Sequence, residues 1–133
     1  MAAQPAVIVL AAGRGSRFLG ADHKLAQRLG SATVLGATLR HAVATHLPVV
    51  VVTTEAFAET ARRHVAARDV IVLPEVGTPG VPALGMGYSI SAGISAMPDA
   101  LGWLILPGDM PMVRSDTMLE VARKLAHHAV VYA

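Results

Sequence analysis

The sequence predicts an α/β protein: a Rossmann-like, doubly wound, mostly parallel sheet with helices on both faces. Three observations lead there. Short aliphatic runs alternate with helical patterns along the whole chain. Those runs are continuously apolar, as strands buried on both faces are, where half-exposed strands would alternate. Hydrophobic residues make up 53% of the chain and aromatics only 4%, the balance of aliphatic strands and alanine-rich helices.

Taken in order, Ala6-Val7-Ile8-Val9-Leu10 is the first strand. Val49 to Thr53 follows the breaker Pro48, and Asp69 to Leu73 stops at Pro74. Gly102 to Leu106 stops at Pro107-Gly108, and Ala129 to Tyr132 is the fifth run. Helical patterns fill the gaps over 33–46, 55–67, 86–97 and 115–126. The first of them sets Val34, Leu35, Thr38, Leu39, Ala42 and Val43 on one stripe. Thr54 and Ser115 stand where each can cap the helix that follows. Repetition of strand and helix implies right-handed crossovers, with the ligand crevice beyond the carboxyl ends of the strands, where strand order reverses. The loops over 11–24, 74–85 and 107–113 are expected to meet there.

At 133 residues the chain reads as one domain, without repeats or an interdomain linker. No window approaches the ~20 apolar residues of a membrane span. Neither a secretion signal nor a cysteine is present, so disulfides and thiolate metal sites are excluded, and a cytoplasmic location is expected. Eleven Lys and Arg against nine Asp and Glu leave a net charge of +2, too small and dispersed for a nucleic-acid footprint. Aromatic stacking platforms for single strands are missing as well. Neither nucleic acid nor membrane is an expected partner.

Leu10-Ala11-Ala12-Gly13-Arg14-Gly15-Ser16-Arg17-Phe18, with Lys24 close behind, is the most informative segment. A strand ending in a small, glycine-bearing loop brings bare backbone N–H groups to a sheet edge. Arg17 adds a planar fork for phosphate oxygens and Lys24 a compact point charge. Together these suit a nucleotide's polyphosphate. A dinucleotide fingerprint fails because Phe18 stands where the third glycine belongs, and Thr53-Thr54 stand where a ribose-binding acid would. That counts against a dinucleotide-dependent oxidoreductase. The P-loop pattern fails too, for want of Gly-Lys-Ser/Thr.

Pro107-Gly108-Asp109-Met110-Pro111 follows a buried strand, so Asp109 is aimed at the expected crevice. A hard carboxylate beside polyphosphate is a natural Mg²⁺ ligand, with phosphates and waters completing the shell. A turn aspartate bonding its own backbone is the plainer alternative; the cationic loop at the same edge favours the metal. In the segment 85–94, glycines at a helix start allow close backbone approach and Ser89 can bond a base or ribose; equally, the segment reads as a glycine-tolerant helix packed tightly on the sheet, as Gly93 does. His127 and His128 point apart, and His41, His46 and His64 read as surface or boundary residues of helices. His23 abuts Lys24 in the active loop. Trp103 and the methionines read as core.

Three segments in order carry a resemblance: Leu-Ala-Ala-Gly-x-Gly-x-Arg-Phe…Lys-Leu at 10–25, Gly-Met-Gly-x-Ser-Ile-x-x-Gly-Ile at 85–94, and Pro-Gly-Asp-Met-Pro-Met-Val at 107–113. The chain resembles nucleotidyltransferases of the molybdenum-cofactor cytidylyltransferase type, within the MobA-like NTP transferase group, over residues 1–133. The resemblance implies that CMP passes from CTP to a phosphorylated acceptor, molybdopterin, with Mg²⁺ as cofactor and pyrophosphate released. It implies a nucleotide-binding stretch of Leu10, Ala11, Ala12, Gly13, Arg14, Gly15 and Ser16, with Ser89 near the base or ribose. Arg17, Lys24 and Asp109 would be the catalytic set, Asp109 holding the metal. Ala12 is like the cytidylyl-type members, whereas guanylyl-type relatives read Leu-Ala-Gly-Gly. Sugar or isoprenoid phosphate is the alternative acceptor.

Two departures accompany it. The spacing from Phe18 to Lys24 is slightly long. Family members also continue with a Gly-Arg-Gly-His-Pro-type segment, further strands and a second acidic residue, so the expectation is a domain lacking its usual C-terminal, acceptor-side part. A non-catalytic nucleotide-binding or cofactor-delivery module is therefore the other reading. A homo-oligomer or contact with a molybdoenzyme is the expected protein partnership.

Overall fold

The computed structural model describes residues 4–12, 28–29, 32–74, 86–125 and 127. In chain order the elements are β1 (Ala6–Ala11), β2 (Arg28–Leu29), β3 (Ala32–Thr33), α1 (Val34–Val43), β4 (Val49–Thr53) and α2 (Glu55–Arg62). A 3-10 turn (Ala67–Asp69), β5 (Val70–Val72), α3 (Met86–Ala96), β6 (Trp103–Pro107) and α4 (Ser115–Lys124) follow. The main sheet is parallel, in the spatial order β5-β4-β1-β6. Register sets Ile8 between Val50 and Ile105, and Val9 between Val51 and Leu106. β2 and β3 form a small antiparallel pair that the sequence pattern did not reveal; two residues per strand are too short to show a period.

Alternation along the strands divides the core. Val7, Val9, Ala11, Val51, Leu104 and Leu106 face Leu35, Leu39 and Ala42 of α1, Phe57 and Ala61 of α2, and Met118 and Ala122 of α4. Ile8, Val50 and Val52 face the other way, where Ala92, Ile94 and Met97 of the α3 region pack. β1 and β4 are therefore covered on both faces, as their unbroken apolarity predicts. β5 and β6 are not: Val72 and Ile105 are each more than a third exposed, at 37% and 39%.

From β1 the chain steps to β4 and β5, then returns to the far side of β1 as β6. α1 and α2 cover one face and α3 the other, as right-handed crossovers in opposite directions require. Strand order thus reverses between β1 and β6, which places the ligand crevice of such a sheet.

Several local expectations are corrected. The helix predicted over 33–46 ends at Val43, Val43 itself is exposed, and His46 lies beyond the helix at φ 62°. Thr45 makes the stop, its hydroxyl donating to the Ala42 carbonyl and accepting from the Leu47 N–H. Thr33 is the N-cap, its oxygen accepting from the Gly36 N–H at 3.0 Å. The second helix ends at Arg62, short of Ala67, because Val65 turns inward to pack on the core. Thr54 is at the N-cap but gives no side-chain cap bond. Arg114, not Ser115, caps α4, also without a side-chain bond. Among the described methionines only Met118 is core, Met97 lying at its margin; Met86, Met110 and Met112 are exposed. Trp103 is half-buried, its indole N–H donating to the Met97 carbonyl at 2.9 Å. The run Ala129–Tyr132 lies outside the described residues.

Gly93 carries the closest helix-to-sheet contact, since a Cβ there would lie 2.5 Å from Ile8 Cγ2. Overpacking a buried strand costs about 1–3 kcal/mol, against about 1 kcal/mol gained in helix propensity. Gly93→Ala is therefore expected to lower the urea midpoint, and an unchanged or raised midpoint would contradict this packing.

Where α1 and α2 meet, burial and the guanidiniums of Arg40 and Arg63 lower the His64 pKa below its ordinary 6.5. The unfolded chain then binds the extra proton first, so stability rises with pH across this window. The His64 contribution is intact above 6.5 and is lost as pH falls through the lower folded value. Comparing melting temperatures at pH 7.5 and pH 5.5, His64→Gln is expected to show a smaller acid-induced drop than wild type.

Candidate nucleotide site

At the switch point the turn after β6 is fastened to the end of β1. The Gly108 N–H donates to the Leu10 carbonyl at 2.8 Å. A Cβ at Gly108 would meet that same oxygen at 3.0 Å and Leu35 Cδ1 at 3.1 Å, so a side chain there would press on both neighbours and glycine suits this approach. On its other side the Gly108 carbonyl accepts from Thr38 Oγ1 at 2.8 Å. The same hydroxyl reaches the Val34 carbonyl at 3.0 Å, and Thr38 is fully buried. Asp109, the next residue, is half-buried and is presented by a turn pinned to both β1 and α1.

The rest of the carboxyl edge is cross-tied by threonine. Thr53 Oγ1 donates to the Ala11 carbonyl at 3.1 Å, and the Thr53 carbonyl accepts from the Leu73 N–H at 2.7 Å. Thr53 is thus a buried brace at the end of β4, where a dinucleotide fold needs a ribose-binding acid. The carbonyls of Leu10 and Ala11 are both taken up by these protein partners. Leu10 also packs its side chain against the α3-side cluster, and Ala12, half-buried, leads out of the sheet.

α3 runs back along the sheet. Its carboxyl end is joined to the start of β6 by the Trp103–Met97 bond, so its amino end lies at the ligand edge. Ser89 stands one turn before Gly93, about 6 Å nearer that edge, and is half-buried. Gly87, in the same first turn, has no described residue within 4 Å of the position a Cβ would take. Unlike Gly93, it serves no packing contact and leaves open space.

Of the residues singled out from sequence, the structure thus assembles Leu10, Ala11, Ala12 and Asp109 at one switch point, with Ser89 on the helix that ends at the same edge. Gly13, Arg14, Gly15, Ser16, Arg17 and Lys24 lie outside the described residues. Sequence reasoning missed the supporting roles of Gly108, Thr38 and Thr53. The available signal was a threonine inside an otherwise apolar helical stripe, and a glycine directly before the candidate acid. His127 is exposed, and His41 is half-buried on α1. Among the described residues no three His, Cys, Asp or Glu gather into a metal cage. What Asp109 offers is one hard carboxylate on a fixed turn. That donor set fits Mg²⁺, which takes one or two carboxylates and fills its shell with phosphate and water oxygens.

A sequence profile of the MobA-like NTP transferase domain matches residues 7–133, a span that includes every motif described above. The chain belongs to the MobA-like NTP transferase family. A bifunctional protein GlmU from Cereibacter sphaeroides is 32% identical over 126 residues, covering 94% of this chain and 27% of that protein. The solved structure of Rv0371c from Mycobacterium tuberculosis superposes with a TM-score of 0.69 at 27% identity, over 93% of this chain and 61% of that one. Rv0371c has also been solved in complex with manganese. A nucleotidyl transferase from Methanothermobacter has a TM-score of 0.65 at 29% identity, over 90% of this chain and 57% of that one. The chain therefore spans about a quarter of the curated relative and about three-fifths of the solved ones. Within this transferase family the chain is an α/β nucleotidyltransferase-type domain, and no described helix is long and apolar enough to cross a membrane.

The brace by Thr38 can be removed without changing shape. Thr38→Val would leave the Gly108 carbonyl without that donor, a loss of about 1–3 kcal/mol for a buried group. Chemical denaturation is expected to show a decrease in that range, and a wild-type value would mean that the turn before Asp109 is held by other means.

Proposed function

We propose that this domain binds CTP with Mg²⁺ and transfers CMP to a phosphorylated acceptor, with molybdopterin preferred, releasing pyrophosphate. The observation that carries the reading is the meeting of β1 and β6 at the switch point. It sets Asp109 beside the strand end from which the segment holding Arg17 and Lys24 departs. Family membership supports the NTP. The manganese complex of the mycobacterial relative supports a divalent metal. Cytidine is favoured by Ala12, and a cytidylyl product is named for the synthase from Anaerococcus prevotii that shares the fold.

In this reading the acceptor's phosphate oxygen attacks the α-phosphorus of CTP in line; the new P–O bond forms as the bond to the β-phosphate oxygen breaks. No protein nucleophile is required, because the attacking oxygen is already ionised near neutral pH. Ala11, Ala12 and Gly13 present backbone groups to the nucleotide, with Leu10, Arg14, Gly15 and Ser16 completing that stretch and Ser89 beside the base or ribose. Arg17 and Lys24 hold and neutralise the triphosphate, so the two reacting groups are brought together with little freedom left to lose. Asp109 would hold Mg²⁺, which when bound supplies further charge neutralisation on the phosphates.

Nucleotide binding without transfer is the second reading. Pyrophosphate release separates the two. Lys24→Ala and Asp109→Asn are each expected to slow release by about 10²- to 10³-fold, the usual cost of losing one charge-stabilising contact. CTP-dependent thermal protection with no release by wild type would support the binding module, whereas wild-type rates in both variants would sink the transferase assignment.

A further inference from the structure

Thr38 sets a fully buried hydroxyl in the middle of the α1 stripe that packs on the sheet. A threonine inside a helix ordinarily bonds back to the carbonyl four residues earlier. Val34 offers that carbonyl at 3.0 Å, yet the shorter contact, 2.8 Å, goes to Gly108, 70 residues away in sequence. One hydroxyl carries one proton. Within the helix the Val34 carbonyl already stands opposite the Thr38 N–H, whereas the Gly108 carbonyl lies beyond the end of β6, outside its ladder. The proton is therefore needed at Gly108.

The atoms held by this bond decide its effect. The Gly108 carbonyl and the Asp109 N–H belong to one planar peptide unit. The peptide before it is held separately, by the Gly108 N–H on the Leu10 carbonyl at 2.8 Å. Between the two planes lie only φ and ψ of a glycine, the residue that restrains them least. With both planes fastened, the Cα of Asp109 has one position relative to β1 and α1. Without the Thr38 bond, only the first plane is fastened and the glycine no longer transmits that position.

We propose that Thr38 is a positioning residue for divalent-metal binding: through the Gly108–Asp109 peptide, its hydroxyl holds the Asp109 carboxylate where the metal of a metal–nucleotide complex is taken. The proposal rests on the reading of Asp109 as metal ligand and adds to it a residue on another element. Groups that orient a ligand directly change metal affinity by about 10- to 100-fold when removed. Thr38 acts one step further out, through the backbone, so about three- to tenfold is expected.

The test measures CTP affinity of the full chain by calorimetry, in Mg²⁺ and in EDTA, at a temperature where circular dichroism shows each variant folded. The ratio of the two affinities is the gain from metal. Wild type is expected to show a gain and Asp109→Asn to lose it. Thr38→Val is expected to cut the gain by about three- to tenfold with affinity in EDTA unchanged, and Thr38→Ser, which keeps the hydroxyl, to retain it. Added to Asp109→Asn, Thr38→Val should change nothing further. Thr38→Ala is the second hydroxyl-free variant if the valine protein does not fold. A full gain in either, an equal loss of affinity with and without metal, or loss of the fold in both overturns the proposal alone, leaving the hydroxyl a structural brace. No gain in wild type, or a gain kept by Asp109→Asn, overturns the parent reading and the proposal with it.

Discussion

The ligand edge depends on one close approach, the seating of Gly108 against the Leu10 carbonyl. A side chain there would crowd its neighbours, with Leu10 oxygen and Leu35 both near 3 Å from where a Cβ would stand. That contact fixes the height of the β6 turn relative to β1, and the Thr38 hydroxyl fixes it laterally to α1. Each bond contributes only about 1 kcal/mol to stability. Their consequence for chemistry is larger, because a carboxylate held in place before ligand arrives loses little freedom when it binds. The fold thus converts two ordinary hydrogen bonds into placement of Asp109.

The supports of the edge are neutral. Gly108, Thr38, Thr53 and strand carbonyls hold it together, while the cations of the same region belong, in sequence, to the segment after Ala12. A buried charge would need a partner to offset its desolvation, and a partner already paired would be unavailable to a triphosphate. Buried hydroxyls carry no such demand, since each meets its own need for a partner at a backbone carbonyl. The charged pairs that are described, Arg123 and Lys124 with Glu120 and Arg114 with Asp116, lie exposed on and beside α4, where they contribute little.

What the sequence made legible follows from the length scale of each signal. β1 and β4 were readable because both faces are covered, so four or five successive apolar residues record burial directly. The same pattern at β6 concealed that Ile105 is exposed, since an aliphatic run does not report how many faces are covered. Helix ends were misjudged where the stop is a tertiary event: Val65 turning into the core, or Thr45 bonding Ala42 and Leu47. The place of Asp109 on a turn after a strand was readable because Pro-Gly-Asp is a local signal. Thr38 was not, because its partner lies 70 residues away and nothing within one helical stripe names it.

The distribution of finished and unfinished packing also separates two halves of the site. Around β1 and β4 both clusters close upon residues of this chain, and α3 is pressed onto Ile8 through Gly93. The strand end at Ala11 and Ala12 therefore stands on a core packed from both faces. At β6 one face is covered by α4, while Ile105 on the other is exposed, and pairing among the described residues reaches only β1. Asp109 follows β6, yet the turn that carries it is anchored to β1 through Leu10 and to α1 through Thr38. In the proposed transfer, Asp109 would thus take its position from the part of the sheet that is packed on both faces.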